Sequence, residues 1–295
     1  MSLKYGILAY PAGHSLSPAM HNAAFKAAGV KAKYETFEVK PEDLGSFMDD
    51  LVAGKGQGAG VSGLSVSAPH KEKILSYLDE VSGSARSIGA VNTVTVREED
   101  GARKLYGDNT DFVGAVDALK EKVSGTMGLK SKRVVVLGAG GAARAIVYGL
   151  LKEGAKVTVL NRTFDKAHQL ANSFAQRFGD ENVKFGVLEG AANFAPDILV
   201  QTTSIWITDG LEARILPEKY FSDLAKDEVR PLVMDIVYTP RMTPLLFAAE
   251  DADCDIVTGD KMLLNQAISQ FEIFTGKKAT KEVKEAMGAA MREGM

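Results

Sequence analysis

The run Val134-Val135-Val136-Leu137-Gly138-Ala139-Gly140-Gly141-Ala142-Ala143 constrains this chain's fold more than any other stretch. Its apolar residues do not alternate, which suits a strand buried on both faces of a parallel sheet. The glycines then break the strand, and the residues from about Ala142 to Leu151 read as a helix. Gly138 permits the tight turn, Gly140 lets backbone approach a pyrophosphate, and Ala143 allows close helix–strand packing. The helix N-terminus aims its amides and dipole at such a phosphate. Lys156–Leu160 supplies the second strand of a βαβ unit, so the glycine pattern stands in the context it needs.

The end of that second strand bears on which dinucleotide fits. An acidic residue about 20 positions after the glycines would hold a ribose 2′-hydroxyl. Here the strand ends in Asn161-Arg162-Thr163, with Lys166 one turn on and Asp165 already inside the next helix. Arg162 can stack on adenine and pair with a 2′-phosphate, and Thr163 and Lys166 add hydrogen bonds and charge. Taken alone, the same residues read equally as a solvated helix start capped by Thr163. Joined to the glycine turn, they point to NADP.

The 295 residues suit two domains better than one core. A formal charge of −3, with 25% charged and 45% hydrophobic residues, gives no reason to expect nucleic acid or an anionic membrane surface as partner. No apolar stretch approaches the ~20 residues of a membrane span, and no signal peptide is read at the start. The single cysteine, Cys254, excludes an internal disulfide and suits a reducing compartment, so a cytoplasmic location is expected. Four scattered histidines give no metal-ligand spacing, and no metal is expected. The expected partner is a small molecule, and the chain a monomer or homodimer.

Before the glycine turn, strand-like runs (5–10, 34–39, 60–67) alternate with helical ones (17–28, 42–52, 71–78). The runs 90–96 and 105–108 flank the polar turn Glu98-Glu99-Asp100-Gly101 and read as a hairpin. The fold class is therefore α/β, with a mostly parallel sheet in the N-terminal domain. A helix over 110–123 leads into the Rossmann-like half, which continues with helix 164–178 and strands 198–201, 232–236 and 255–257. Helices over 261–274 and 281–292 then have no strands between them and fold back on the first domain. The expected organisation is a discontinuous substrate domain, 1–112 plus 260–295, enclosing an inserted NADP-binding domain, 113–259.

Polar clusters fall where N-terminal strands end. In His14-Ser15-Leu16-Ser17-Pro18, Ser17 reads as a helix cap and Pro18 as the first helical residue, which leaves Ser15 unexplained. Ser65-Val66-Ser67-Ala68-Pro69-His70-Lys71 leaves a strand, and Lys71 at a helix N-terminus opposes the macrodipole. Locally costly choices mark candidate functional positions. Gly89–Thr93, Gly107–Asp111, Asp235–Pro240 and Gly259–Gln266 complete the set.

In this order, over nearly the whole chain, these motifs resemble the shikimate dehydrogenase family: H-S-L-S-P, P-H-K ending at Lys71, G-A-V-N-T, G-D-N-T-D, G-A-G-G-A-A, N-R-T, D-I-V-Y-T-P and M-L-x-x-Q. The resemblance implies reversible NADPH-dependent reduction of 3-dehydroshikimate to shikimate, on the path to aromatic amino acids. It implies Lys71 and Asp111 as the catalytic pair, and the sequence leaves open which delivers the proton. It implies substrate contacts from Ser15, Ser17, Ser65, Ser67, Asn92, Tyr238 and Gln266. NADP contacts are implied for Gly138, Ala139, Gly140, Gly141, Ala142, Asn161, Arg162, Thr163, Lys166, Thr203, Gly259 and Met262. The chain also departs from the family pattern. Ser65 stands where a longer amide is common, and Trp206 stands where glycine is usual beside the nicotinamide. These two leave a quinate/shikimate dehydrogenase with relaxed preference as the alternative. The segment 209–220 has no close counterpart.

Overall fold

The structure, a computed structural model, describes residues 3–123, 125–205 and 215–295. Trp206 and residues 209–214 lie outside the described residues. The chain divides into two compact units, Met1–Asp111 with Gln266–Met295, and Phe112–Asn265. The sequence reading puts the return to the first unit at 260, near the start of the helix in which it occurs. Among the described residues no helix is long and apolar enough to cross a membrane.

In the first unit, β1 (Leu3–Ala9), β2 (Ala32–Glu38), β3 (Val61–Val66), β4 (Glu80–Val81), β5 (Thr93–Glu99) and β6 (Ala102–Asp108) form one sheet in the order β2-β1-β3-β5-β6-β4. β1 runs parallel to β2 and β3, and β6 parallel to β4; β5 is antiparallel to both its neighbours. The expected hairpin is β5–β6. Its two-residue turn has φ of 51° at Asp100 and 76° at Gly101, the doubly left-handed geometry that matches strand twist and favours Asp-Gly. Helices α1 (Ser17–Ala27), α2 (Leu44–Ala53) and α3 (Gly83–Ile88) connect these strands. Leu8, Phe37, Phe47, Leu64 and Val94 pack in one core beneath them.

Two local readings change. Ser17 does not cap α1: Leu16 holds that position, and Ser17 is a buried first residue of the helix. Its backbone N–H donates to the Ser15 hydroxyl at 3.3 Å, so Ser15 serves a first-turn amide that the expected cap does not. Lys71 does not open an α-helix. It lies in a turn, and the helical residues that follow, Lys73–Tyr77, are 3₁₀.

From Phe112 onward α4 (Asp111–Lys120) belongs to the second unit and leads to β7 (Arg133–Leu137), α5 (Gly141–Lys152), β8 (Lys156–Asn161), α6 (Phe164–Phe178) and β9 (Val183–Val187). After β10 (Ile198–Gln201) come α7 (Tyr220–Lys226), β11 (Leu232–Asp235), α8 (Pro244–Glu250), β12 (Ile256–Val257) and α9 (Gly259–Thr275). The final helix, α10 (Lys281–Gly294), returns to the first unit and packs on α1. The strand order β12-β11-β10-β7-β8-β9 is wholly parallel, with the reversal between β7 and β10. That is the Rossmann arrangement, whose ligand site lies beyond the strand ends at the reversal. α6 shows how the sequence builds it. Ala167, Leu170, Ala171 and Phe174 are buried at helical spacing. Full burial of Leu170 and Phe174 contributes roughly 1.5–3 kcal/mol each.

Candidate active site

Register puts the N-terminal clusters at one edge of the first sheet. Leu8 pairs with Val66, Ser65 with Thr93, and Thr93 with Asp108. The ends of β1, β3 and β6 and the start of β5 therefore lie side by side, and the loops leaving them share that edge. Backbone bonds tie the loops together: Tyr10 N–H donates to Ala68 O, Val91 N–H to Lys71 O, Val66 N–H to Asn92 O, and Asn92 N–H to Asp108 O. The bond from Val91 is 2.7 Å long and fixes the backbone of Lys71 directly beside the Asn92 segment.

On this frame Lys71 Nζ lies 2.5 Å from Asp111 Oδ2, with side-chain exposures of 17% and 5%. A charge pair so little hydrated is costly to separate, because either partner alone would be left uncompensated. The second Asp111 oxygen accepts from Asn92 Nδ2 at 2.9 Å. Asn92 is the hub of the cluster. Its Nδ2 also donates to Thr110 Oγ1 at 2.9 Å and approaches Gln266 Oε1 at 3.4 Å. Its Oδ1 accepts from Thr110 N–H at 2.8 Å and from Thr93 Oγ1 at 2.7 Å. Asn109 completes the support, accepting from Asp111 N–H at 3.0 Å and donating to Ala90 O at 2.9 Å. Both Asp111 oxygens meet a donor, so the carboxylate is fixed in place beside Lys71 Nζ.

The structure thus brings together Lys71, Asp111, Asn92 and Gln266 from the expected set. Ser65 is buried near them, donating to Gln270 Oε1 at 2.6 Å. Ser67 leaves the end of β3, its N–H bonded to Leu8 O. Ser15 and Ser17 sit after β1 on the same edge. Thr93 and Thr110 stood inside the Gly89–Thr93 and Gly107–Asp111 motifs with no role of their own, and Gln270 was not singled out. Thr110 carried a signal, since it directly precedes the candidate Asp111 in the G-D-N-T-D motif. Gln270 lies one helical turn past Gln266, on the same face of α9.

The second unit can be tested for a dinucleotide without one present. Gly138 has φ of +115°, and a side chain there would run into the Thr202 hydroxyl. At Gly140, the N-cap of α5, an added Cβ would meet nothing within 4 Å. No side chain caps that helix, so Gly141 and Ala142 present first-turn amides at an open space. Ala139 bridges the two glycines. Beyond β8, Arg162, Thr163 and Lys166 are exposed, and neither cation pairs with a carboxylate among the described residues. Thr163 takes the N-cap position of α6, but its side chain makes no cap bond; Asn161 Nδ2 donates to its carbonyl at 2.9 Å. These residues fit a phosphorylated dinucleotide: a glycine cradle for pyrophosphate and two free cations for a further phosphate.

Thr203 follows β10, and Ile205 N–H donates to its hydroxyl at 3.4 Å. Gly259 opens α9 hard against the Ile236 and Val237 carbonyls, and Met262 is buried one turn on. Tyr238 is half-buried after β11, and burial raises its phenol pKa. Tyr238, Met262, Thr203 and Gly259 belong to the second unit, whereas Lys71, Asp111, Asn92 and Gln266 belong to the first.

Comparison with known proteins identifies the family. Residues 7–94 match the family described as shikimate dehydrogenase substrate binding domain, and residues 118–237 match shikimate / quinate 5-dehydrogenase. The chain is 40% identical over 283 residues to shikimate dehydrogenase (NADP(+)) of Methanothermobacter thermautotrophicus, covering 95% of this chain and 93% of that one. A crystal structure of shikimate dehydrogenase in complex with NADP+ superposes with a TM-score of 0.85 at 35% identity, covering 99% and 95% of the two chains. The Thermus thermophilus shikimate 5-dehydrogenase in complex with NADP(H) and shikimate gives 0.80 at 33% identity, covering 99% and 100%. The chain belongs to the shikimate dehydrogenase family.

Proposed function

We propose that this chain catalyses the reversible NADPH-dependent reduction of 3-dehydroshikimate to shikimate, with Lys71 and Asp111 as its catalytic residues. One observation carries the assignment of roles: the 2.5 Å Lys71–Asp111 pair, with Asn92 holding the other carboxylate oxygen. NADPH, when bound, supplies the hydride for the ketone. The ketone oxygen then gains negative charge and needs a donor. Lys71 is that donor. Its ammonium both stabilises the developing alkoxide and can pass it a proton. Asp111 keeps the ammonium oriented and compensated, and Asn92 keeps Asp111 from turning away.

The substrate carries one carboxylate and several hydroxyls, so its site needs many short polar groups. Ser15 and Ser17 hold the carboxylate; Ser67, Asn92, Asp111 and Gln266 meet ring hydroxyls, and Ser65 and Tyr238 are further substrate contacts. In the cofactor unit Gly138, Ala139, Gly140, Gly141 and Ala142 cradle the pyrophosphate, and Asn161, Arg162, Thr163 and Lys166 hold the 2′-phosphate and adenine. Thr203, Gly259 and Met262 line the nicotinamide. The lone, buried Cys254 fits a cytoplasmic location.

Initial rates on shikimate and quinate with NADP+ and NAD+ test the reading. The expected result is highest kcat/KM for shikimate with NADP+. A preference for quinate with NAD+ contradicts both substrate and cofactor, and absence of turnover with every pair contradicts the activity.

A further inference from the structure

Gln270 is 1% exposed and lies on α9, yet its carboxamide reaches back to β3 and the start of β5. Its orientation is forced. Nε2 lies 2.9 Å from Asn92 O and 3.1 Å from Thr93 Oγ1. A backbone carbonyl only accepts, and Thr93 spends its own hydrogen on Asn92 Oδ1 at 2.7 Å. Nε2 must therefore be the amide nitrogen, and the opposite atom must be the carbonyl oxygen. That oxygen, Oε1, stands 2.6 Å from Ser65 Oγ. An amide oxygen cannot donate, so the Ser65 hydrogen points at Gln270 and nowhere else. Ser65 is left with lone pairs alone. The buried Tyr34 hydroxyl makes no hydrogen bond of its own, and its single hydrogen could occupy at most one of them.

From this chain of donors we infer that Gln270 is a positioning and specificity-determining residue: it locks Ser65 as an acceptor, so that Ser65 recognises a ring position bearing a hydroxyl and disfavours one bearing a carbonyl, ether or halogen. The inference deepens the proposed function and rests on its reading of Ser65 as a substrate contact. An acceptor-only atom gains a hydrogen bond from a hydroxyl, and meets lone-pair repulsion from an oxygen or fluorine without a hydrogen. Selectivity arises because a buried polar atom left unpaired is penalised.

The test uses the intact chain with shikimate and four analogues, in which either non-reacting ring hydroxyl is replaced by hydrogen or by fluorine. With the wild-type protein, one ring position is expected to lose about tenfold or more in kcat/KM on either replacement, fluorine being no better than hydrogen. Gln270→Leu frees the Ser65 hydrogen. KM for shikimate is then expected to rise about tenfold while kcat changes little, and the fluorine analogue at that one position regains ground on the parent. Ser65→Ala should abolish the discrimination at that position and leave the other intact. Thermal unfolding and NADP+ affinity show whether Gln270→Leu is folded; if it is not, the Ser65→Ala analogue series decides by itself. A fluorine analogue used as well as shikimate at both positions overturns the inference, as does a folded Gln270→Leu protein with unchanged KM and unchanged discrimination. Failure of the wild-type protein to oxidise shikimate at all contradicts instead the proposed function beneath it.

Discussion

Asp111 is gripped on both oxygens, by Lys71 Nζ at 2.5 Å on one and by Asn92 Nδ2 at 2.9 Å on the other. Lys71 lies in the turn after β3, Asn92 immediately precedes β5, and Asp111 is the first residue of α4. Backbone bonds from Val91 N–H to Lys71 O and from Asn92 N–H to Asp108 O tie these segments together, which gives a proton-delivering group a defined position. Asn92→Ala removes the grip on Asp111 and also strips Thr110 N–H and Thr93 Oγ1 of their acceptor. A buried donor left unpaired costs about 1–3 kcal/mol, so unfolding in urea is expected to show a loss of that order. The same variant is expected to lower kcat by about tenfold or more, since Asp111 can then rotate. Unchanged stability and rate would remove Asn92 from the account.

Arg162 and Lys166 are exposed at the start of α6 and free of carboxylates among the described residues. Charge-assisted bonds to a phosphate are worth about 1.5–3 kcal/mol. Arg162→Ala should therefore weaken NADP+ by roughly 10- to 100-fold and NAD+ by far less. Titration of both cofactors into the variant measures this; equal losses would undo the assignment of the 2′-phosphate.

His21 is wholly buried, stacked on Tyr34 at 4.5 Å with Phe25 and Phe274 around it. Desolvation lowers its pKa to about 3, and the Gln270 side chain offsets only part of that. The unfolded chain, with the ordinary value near 6.5, then binds the extra proton over the window between the two. The neutral-histidine contribution is thus complete above about pH 6.5 and is lost as the pH falls toward 3. From pH 7 to pH 5 the loss amounts to about 2 kcal/mol. His21→Phe should flatten the pH dependence of unfolding by that amount, and an identical slope in both proteins would show that the imidazole charges without unfolding.

How much of this was legible in the sequence depended on whether the signal was local. The glycine turn and the Asp100-Gly101 hairpin announce themselves within a few residues, because backbone conformations that favour glycine leave a residue-type mark. Strand 198–201 was read at its observed bounds, being a buried run with no alternation. Short elements were passed over: β4, α3, β9, α7 and α8 each offer too few residues for a period to show. α8 did carry a mark, Thr243 capping with Pro244 at the first position. The cap at Ser17 failed because Ser15, two residues earlier, took the acceptor role. The site's individual residues were accessible through the motif resemblance, but their wiring was not. Gln270 bonds to Asn92, 178 residues away in the chain, and no local pattern encodes that pairing.

The central claim is that Lys71 acts on the reacting oxygen while Asp111 keeps it in place. It is tested most directly by the steady-state rate of Lys71→Met on shikimate with NADP+, alongside NADP+ affinity by titration. Lys71 belongs to the first unit and the glycine cradle to the second. The expected outcome is a fall in kcat of about 10²- to 10⁴-fold with cofactor affinity within about threefold of wild type. A variant that turns over shikimate at an undiminished rate would contradict it.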